Sequence, residues 1–207
     1  MPTAFICHCH DWDEQGQETA DGLTEWQIAQ DVDRSILDHL FTNSPVMPLR
    51  LNRTLDIRID TVNMFCKIGG DMELFSPPYI AIETHCNWVP DKTRRGFHVM
   101  AYHTSTKGRE LARRVLFGVA KARGRGGRNM GVNFVDAKRQ WIGTEWEYEN
   151  KRQAFVSKTE CPAVLVESCF LSNTPDAFWI SQEYNRRKLG RYIAEAIINY
   201  YQEVQHV

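Results

Sequence analysis

The sequence predicts an α/β fold: one domain over residues 1–207, with a single twisted mixed β-sheet of about five or six strands and helices on both faces. Three observations lead there. Short β-rich apolar runs alternate with longer segments of helical spacing. No repeat, low-complexity tract or Pro/Ser linker divides the chain. Its 207 residues, 43% hydrophobic and 25% charged, suit one fully buried core.

The elements follow in order. Ala4-Phe5-Ile6 is a short first strand. From Thr24 to Leu40 the residues Trp26, Ala29, Val32, Ile36 and Leu40 keep helical spacing, with Thr24 as N-cap and Glu25 in the first turn. Val46–Leu51 reads as a second strand. Asp56–Lys67 reads as a helix with Ile59, Val62 and Phe65/Cys66 inward, stopped by Gly69-Gly70. Tyr79–Thr84 is a β-rich run ending at His85, and Phe97, Val99 and Ala101 alternate with polar or large neighbours as a further strand. Thr106–Lys121 is a helix with Leu111, Ala112, Val115, Leu116 and Val119 on one face. Arg123–Arg128 is a Gly-rich basic loop without the Lys-Ser/Thr of a phosphate-binding loop. The acidic, aromatic stretch 141–150 reads as a surface loop or insert of open role. Ala163–Val166 is a buried strand closed by Glu167, and a last helix runs from Asn185 to Tyr201.

Composition excludes several classes. Twenty-five Lys+Arg against 26 Asp+Glu leave a net charge of -1, which argues against a nucleic-acid partner. No apolar stretch is long enough for stable membrane insertion. The first ten residues lack the basic segment and long apolar run of a secretory signal. Six cysteines in a chain of this length are too few for a disulfide framework; Cys66, Cys86, Cys161 and Cys169 read as buried free thiols.

Three polar groups close strands: His10, His85 and Glu167. Sites in open α/β sheets form beyond the carboxyl ends of the strands, and Glu25 starts the first long helix. Two histidines and a carboxylate hold a Zn2+ and leave one position for water, and a further carboxylate off the metal serves as general base. A bland reading stands beside this one: a strand-end histidine is ordinarily a surface or core residue, and Glu25 suits a helix dipole. Asp33, His39 and His206 read as solvated, His98 and His103 as surface or substrate-edge residues, and Glu83 as a satisfied polar residue on the other register of its strand.

The segment Ala163-Val-Leu-Val-Glu-Ser-Cys-Phe-Leu-Ser-Asn173 resembles the signature of the zinc-dependent N-acetylmuramoyl-L-alanine amidases of the type 3 catalytic family, apolar-Val-Leu-Val-Glu-x-Gly-Phe-Leu-Ser-Asn. Ile82-Glu-Thr-His85-Cys-Asn87 is similar to that family's strand ending in Ser-x-His-x-Asn. Arg53, Asp56, Arg58 and Asn63 resemble an Arg/Asp/Arg/Asn series that precedes it, and Gly96 onward and Ser105–Ala112 resemble the strand and helix that follow. The resemblance implies zinc on His10, Glu25 and His85, Glu167 as catalytic acid/base, and Asn87 supporting His85 or substrate. It implies hydrolysis of the amide between the lactyl group of N-acetylmuramic acid and L-alanine, with peptidoglycan as partner.

The N-terminal motif departs from the family. Cys7-His-Cys-His-Asp-Trp12 replaces Asp-Pro-Gly-His-Gly-Gly, although Glu25 follows His10 by the expected fifteen positions. His8 is therefore an alternative ligand, since residues two apart on an extended chain point the same way. The same rule points Cys9 away, and Glu167 has a structural alternative as partner of Arg58. Two other functions stay open: a related zinc metallopeptidase of carboxypeptidase type, and a non-catalytic wall-binding subunit of the same fold. The compact, signal-less chain resembles a phage or prophage lysin. The expected location is the host cytoplasm before holin-type release onto the wall, or the phage particle itself. Host, peptidoglycan chemotype, oligomeric state and a bacterial origin are left open.

Overall fold

A computed structural model describes residues 1–68, 75–124, 130–135, 141–142 and 153–204, the segments 130–135 and 141–142 by backbone alone. Gly69-Gly70, residues 125–128 of the basic loop, 143–150 of the acidic stretch and His206 lie outside the described residues. The elements are β1 (Pro2–His8), α1 (Glu25–Asn43), β2 (Met47–Leu51), α2 (Leu55–Ile68), β3 (Ser76–Asn87), β4 (Phe97–Tyr102), α3 (Thr106–Arg123), β5 (Met130–Val135), β6 (Trp141–Ile142), α4 (Ala154–Lys158), β7 (Ala163–Phe170), α5 (Thr174–Ser181) and α6 (Glu183–Val204).

The chain adopts the expected α/β class and mixed sheet. With β5 and the two-residue β6 the sheet has seven strands, in the order β2-β1-β3-β7-β4-β5-β6. Neighbours are parallel from β2 through β7 and between β4 and β5, and antiparallel at β7–β4 and β5–β6. Helices cover both faces, so Ala4–Cys7 of β1, Tyr79–Ile82 of β3 and Ala163–Val166 of β7 are continuous apolar runs instead of alternating. Ala4, Ile6, Ile80, Ile82, Val164 and Val166 face α1, α3 and α6. Phe5, Cys7, Ala81, Ala163 and Leu165 face the other way, onto Ile59, Val62 and Phe65 of α2 and Phe155 and Val156 of α4. Among the described residues no helix is long and apolar enough to cross a membrane.

Local chemistry sets the ends of the helices. Thr24 caps α1 in a capping box with Gln27, and Ser105 caps α3 by accepting from Gly108 N–H. The first layer is tight: a methyl group at Gly118 of α3 would lie 2.5 Å from the Tyr192 carbonyl of α6, and one at Gly190 would meet the Val32 carbonyl of α1. The Leu-Ser-Asn173 tail of the resembled motif has a structural task. Asn173 caps α5 and donates to Lys92 O (2.8 Å), which brings Asp176 into the interior. There Asp176 accepts from Gly96 N–H (2.8 Å), Phe170 N–H (3.1 Å) and the Arg123 guanidinium, which stacks on Phe97 and Trp179. All six cysteines are free, with Cys66 and Cys161 half-buried.

Candidate active site

Because β1, β3 and β7 run parallel as neighbours, their carboxyl ends lie along one edge of the sheet. His85 of β3 stands level with Glu167 of β7, and His8 of β1 with Thr84 of β3. Glu25 is the first residue of α1, which starts over the same edge. The loop before α1 is tied to it by Glu25 N–H on Gln17 O (2.7 Å) and Trp26 N–H on Gln15 O (3.1 Å).

Here His10 Nε2 lies 3.0 Å from Glu25 Oε2, and His85 Nδ1 lies 2.9 Å from Glu25 Oε1. One ligand atom each from Cys9, His10, Glu25 and His85 lies within 4.8 Å of all the others. The structure thus brings His10, Glu25 and His85 together. It also corrects two expectations from alternation along β1. His10 has φ 53, a left-handed conformation that a non-glycine residue rarely adopts, so the chain turns out of the strand there. Cys9, expected to point away, therefore has its sulfur at the cluster. His8 does not join it: His8 is fully buried, with Nδ1 2.6 Å from Asp33 Oδ2, on the face of the sheet that packs against α1. Asp33, expected in solvent, is buried and also accepts from Thr84 Oγ1 at 2.6 Å.

Chemically the donor set suits a divalent cation of zinc type, two imidazoles and a carboxylate with a soft sulfur beside them. Burial works against the charge on Glu25, but the hydrogen bonds and charges of His10 and His85 outweigh it and hold the carboxyl at about 2. The backbone leaves room for the cluster: a methyl group at Gly16 (φ 72) would lie 2.6 Å from both His10 Nε2 and Glu25 Oε2. This glycine lies six positions after His10, whereas the resembled motif has glycines directly after its histidine.

Glu167 behaves differently. Burial, with the charges of Glu25 and Glu83 added and that of His85 opposing, pushes its carboxyl up to about 7. Its Oε2 is buried without a hydrogen-bond partner. The alternative pairing with Arg58 does not occur: Arg58 donates to Glu83 Oε1 at 2.5 Å instead. Glu83, expected on the far register, faces the site, with Oε2 3.2 Å from His85 Nε2. His10, Glu14, Arg58, Glu83, His85, Phe155, Leu165 and Glu167 line one cavity of about 410 Å3. Asn87 is not among its lining residues; its carbonyl accepts from Leu171 N–H at 2.8 Å. His98 is interior, not surface, packing edge-on to Phe170 (5.5 Å); burial, with Arg94 nearby, holds it down at about 4. His103 packs edge-on to Tyr102 at 4.9 Å.

Sequence patterning does not reveal Cys9, Glu83, Arg58 and Gly16 as site residues. The available signals were a glycine shortly after His10 and a carboxylate two residues before His85, on the same strand face.

Such an edge, with two histidines and a carboxylate gathered and a second carboxylate held apart with a raised proton affinity, has the donors to hold a metal and a separate group to move a proton, the chemistry a hydrolase needs. Residues 5–199 match the family model of the N-acetylmuramoyl-L-alanine amidases, and the chain belongs to that family. No curated protein matches the sequence significantly. Similar solved structures include the N-acetylmuramoyl-L-alanine amidase AmiC2 of Nostoc punctiforme, at TM-score 0.76 and 16% identity, covering 97% of each chain. Another is the N-acetylmuramoyl-L-alanine amidase of Clostridium difficile 630, also at TM-score 0.76 and 16% identity over 97% of each chain. The catalytic domain of the CD27L endolysin targeting Clostridia difficile is similar at TM-score 0.65 and 20% identity, over 96% of this chain and 98% of that one. At such identities the likeness is one of fold.

Proposed function

We propose that this chain is a zinc hydrolase that cleaves the amide between the lactyl group of N-acetylmuramic acid and L-alanine in peptidoglycan. The observation that carries this reading is the joint placement of His10, Glu25 and His85 around one point, with Glu167 unpartnered in the same cavity. The family match supports the substrate.

In this reading His10, Glu25 and His85 hold the zinc. When bound, zinc supplies a Lewis acid that polarises the substrate carbonyl and lowers the pKa of a water toward about 7. Glu25, anionic at all working pH values, offsets part of the metal's charge. Glu167, with its Oε2 buried and unpartnered in the same cavity, takes the proton of the attacking water and returns it to the departing alanine amine. Leu165, Phe155 and Leu55 give one wall of the cavity an apolar surface against which a stem peptide packs. A lysin setting, with synthesis in a host cytoplasm and action on the wall, is the biological reading we attach to it.

The test is mass spectrometry of purified sacculi digested with the zinc-loaded protein. Stem peptides with a free L-alanine amino terminus are expected. Release of free C-terminal amino acids overturns the amidase reading in favour of a carboxypeptidase. Intact sacculi in the presence of bound zinc overturn the assignment as an enzyme.

A further inference from the structure

The resembled motif has serine two residues before its histidine, whereas this chain has Glu83. We propose that Glu83 and Arg58 form a positioning pair that sets both histidines of the cluster for metal binding. The proposal rests on the metal reading given above.

The ring of His85 has two nitrogens and meets two carboxylates. Nδ1 faces Glu25 Oε1 (2.9 Å), inside the cluster, and Nε2 faces Glu83 Oε2 (3.2 Å), outside it. With a cation on the inner nitrogen, the outer one carries the proton and donates it to Glu83. This fixes the tautomer and the plane of the ring and raises the basicity of the ligand. The carboxylate is itself immobile: its other oxygen takes Arg58 at 2.5 Å, and Glu83 and Arg58 are 2% and 4% exposed. Because the interior penalises an unpaired charge heavily, the two are held to each other.

The second arm runs to His10. Arg58 also donates to the carbonyls of Arg53 (2.7 Å) and His8. The His8 carbonyl is the last of β1, two residues before the left-handed turn at His10. The planar guanidinium therefore links the point where the first histidine leaves its strand to the carboxylate that orients the second. Glu83 is not one of the four residues gathered at the cluster; it acts on the histidines by holding the His85 ring and, through Arg58, the end of β1.

The experiment measures zinc affinity of the full chain by competition with a chromogenic chelator, alongside the visible spectrum of the cobalt-substituted protein and the melting temperature after metal removal. Glu83→Ala should weaken zinc binding by about 10–100-fold, the usual scale for losing such a partner, and should alter the cobalt spectrum. Glu83→Gln, which still accepts from Nε2–H, should recover part of that loss. Glu83→Ala leaves Arg58 unpaired and is itself a folding risk. The double variant Glu83→Ala/Arg58→Met removes both charges, and should regain melting temperature in the metal-free state without regaining zinc affinity. If the double variant binds zinc within about twofold of wild type, with an unchanged cobalt spectrum, the pair is only structural and the proposal is overturned. A wild-type protein that binds no zinc overturns the metal reading, and this proposal with it.

Discussion

At Glu167 a half-buried carboxylate has one oxygen buried without a partner and its proton affinity shifted to neutrality. Glu167→Gln, nearly isosteric, should keep zinc but lower turnover by about 10²-fold or more, the scale of a lost general acid/base; elemental analysis and muropeptide release on one preparation check this. The same shift has a signature in stability. The folded-state value of about 7 lies above the ordinary 4.5, so the native state binds the proton more tightly than the unfolded chain does. The cost of burying the charge is therefore absent below pH 4.5 and develops fully as pH rises through 7. In metal-free protein, Glu167→Gln should resist urea better than wild type at pH 8, and the gap should close by pH 4.5. The histidines give a second contrast. His10→Ala should empty the metal site, whereas His8→Ala should retain zinc while losing stability, because it strands Asp33 in the core. Metal content and melting temperature of the two variants separate these outcomes. His10, Glu25, His85 and Glu167 were legible as strand-end or helix-start residues. The Arg58–Glu83 and His8–Asp33 pairs were not, since each joins a helix to a strand 25 residues away that it meets only when the helix packs on the sheet.

At the scale of elements, the apolar runs at Ala4, Tyr79 and Ala163 and the helical faces at Val32, Val115 and Ile193 were readable because burial on both sides of a sheet leaves long uninterrupted signals. The short elements were not: β5 and β6 carry Gly131, Asn133 and only a two-residue strand, and α4 has five residues. Helix α5 did carry a signal, an Asn cap followed by Pro near its first turn. Both β3 and β7 run past their expected ends, to Asn87 and Phe170, because Leu171 N–H and the Asp176 carboxylate continue the pairing there. That carboxylate ties β7, β4, α3 and α5 together. Asp176→Ala should destabilise the chain by about 3–5 kcal/mol, since it leaves the Arg123 charge buried without its partner. A urea melt monitored by tryptophan fluorescence measures the loss.

For the molecule as a whole, a cation held between the start of α1, the end of β1 and β3 would bind the folded state more tightly than the unfolded chain. Free zinc at one hundred times its dissociation constant should add up to about 2.7 kcal/mol, less whatever the unfolded cysteines and histidines bind. For a chain of this size that corresponds to a rise in melting temperature of roughly 5–11 °C. A chelator titration followed by calorimetry checks it, with one zinc per chain as the expected stoichiometry. The order of strands carries one more consequence, for the history of the molecule during its synthesis. The last strand to emerge, β7, is inserted between β3 and β4, two strands made long before it. Until residues 163–170 appear, the growing chain has two open sheet edges where its centre will be, and these edges invite pairing with other chains. Glu167 arrives with that same strand. The carboxylate we propose as the proton-handling group therefore enters the molecule with the strand that closes the sheet: a nascent chain can have the donor atoms for a metal well before that carboxylate is in place.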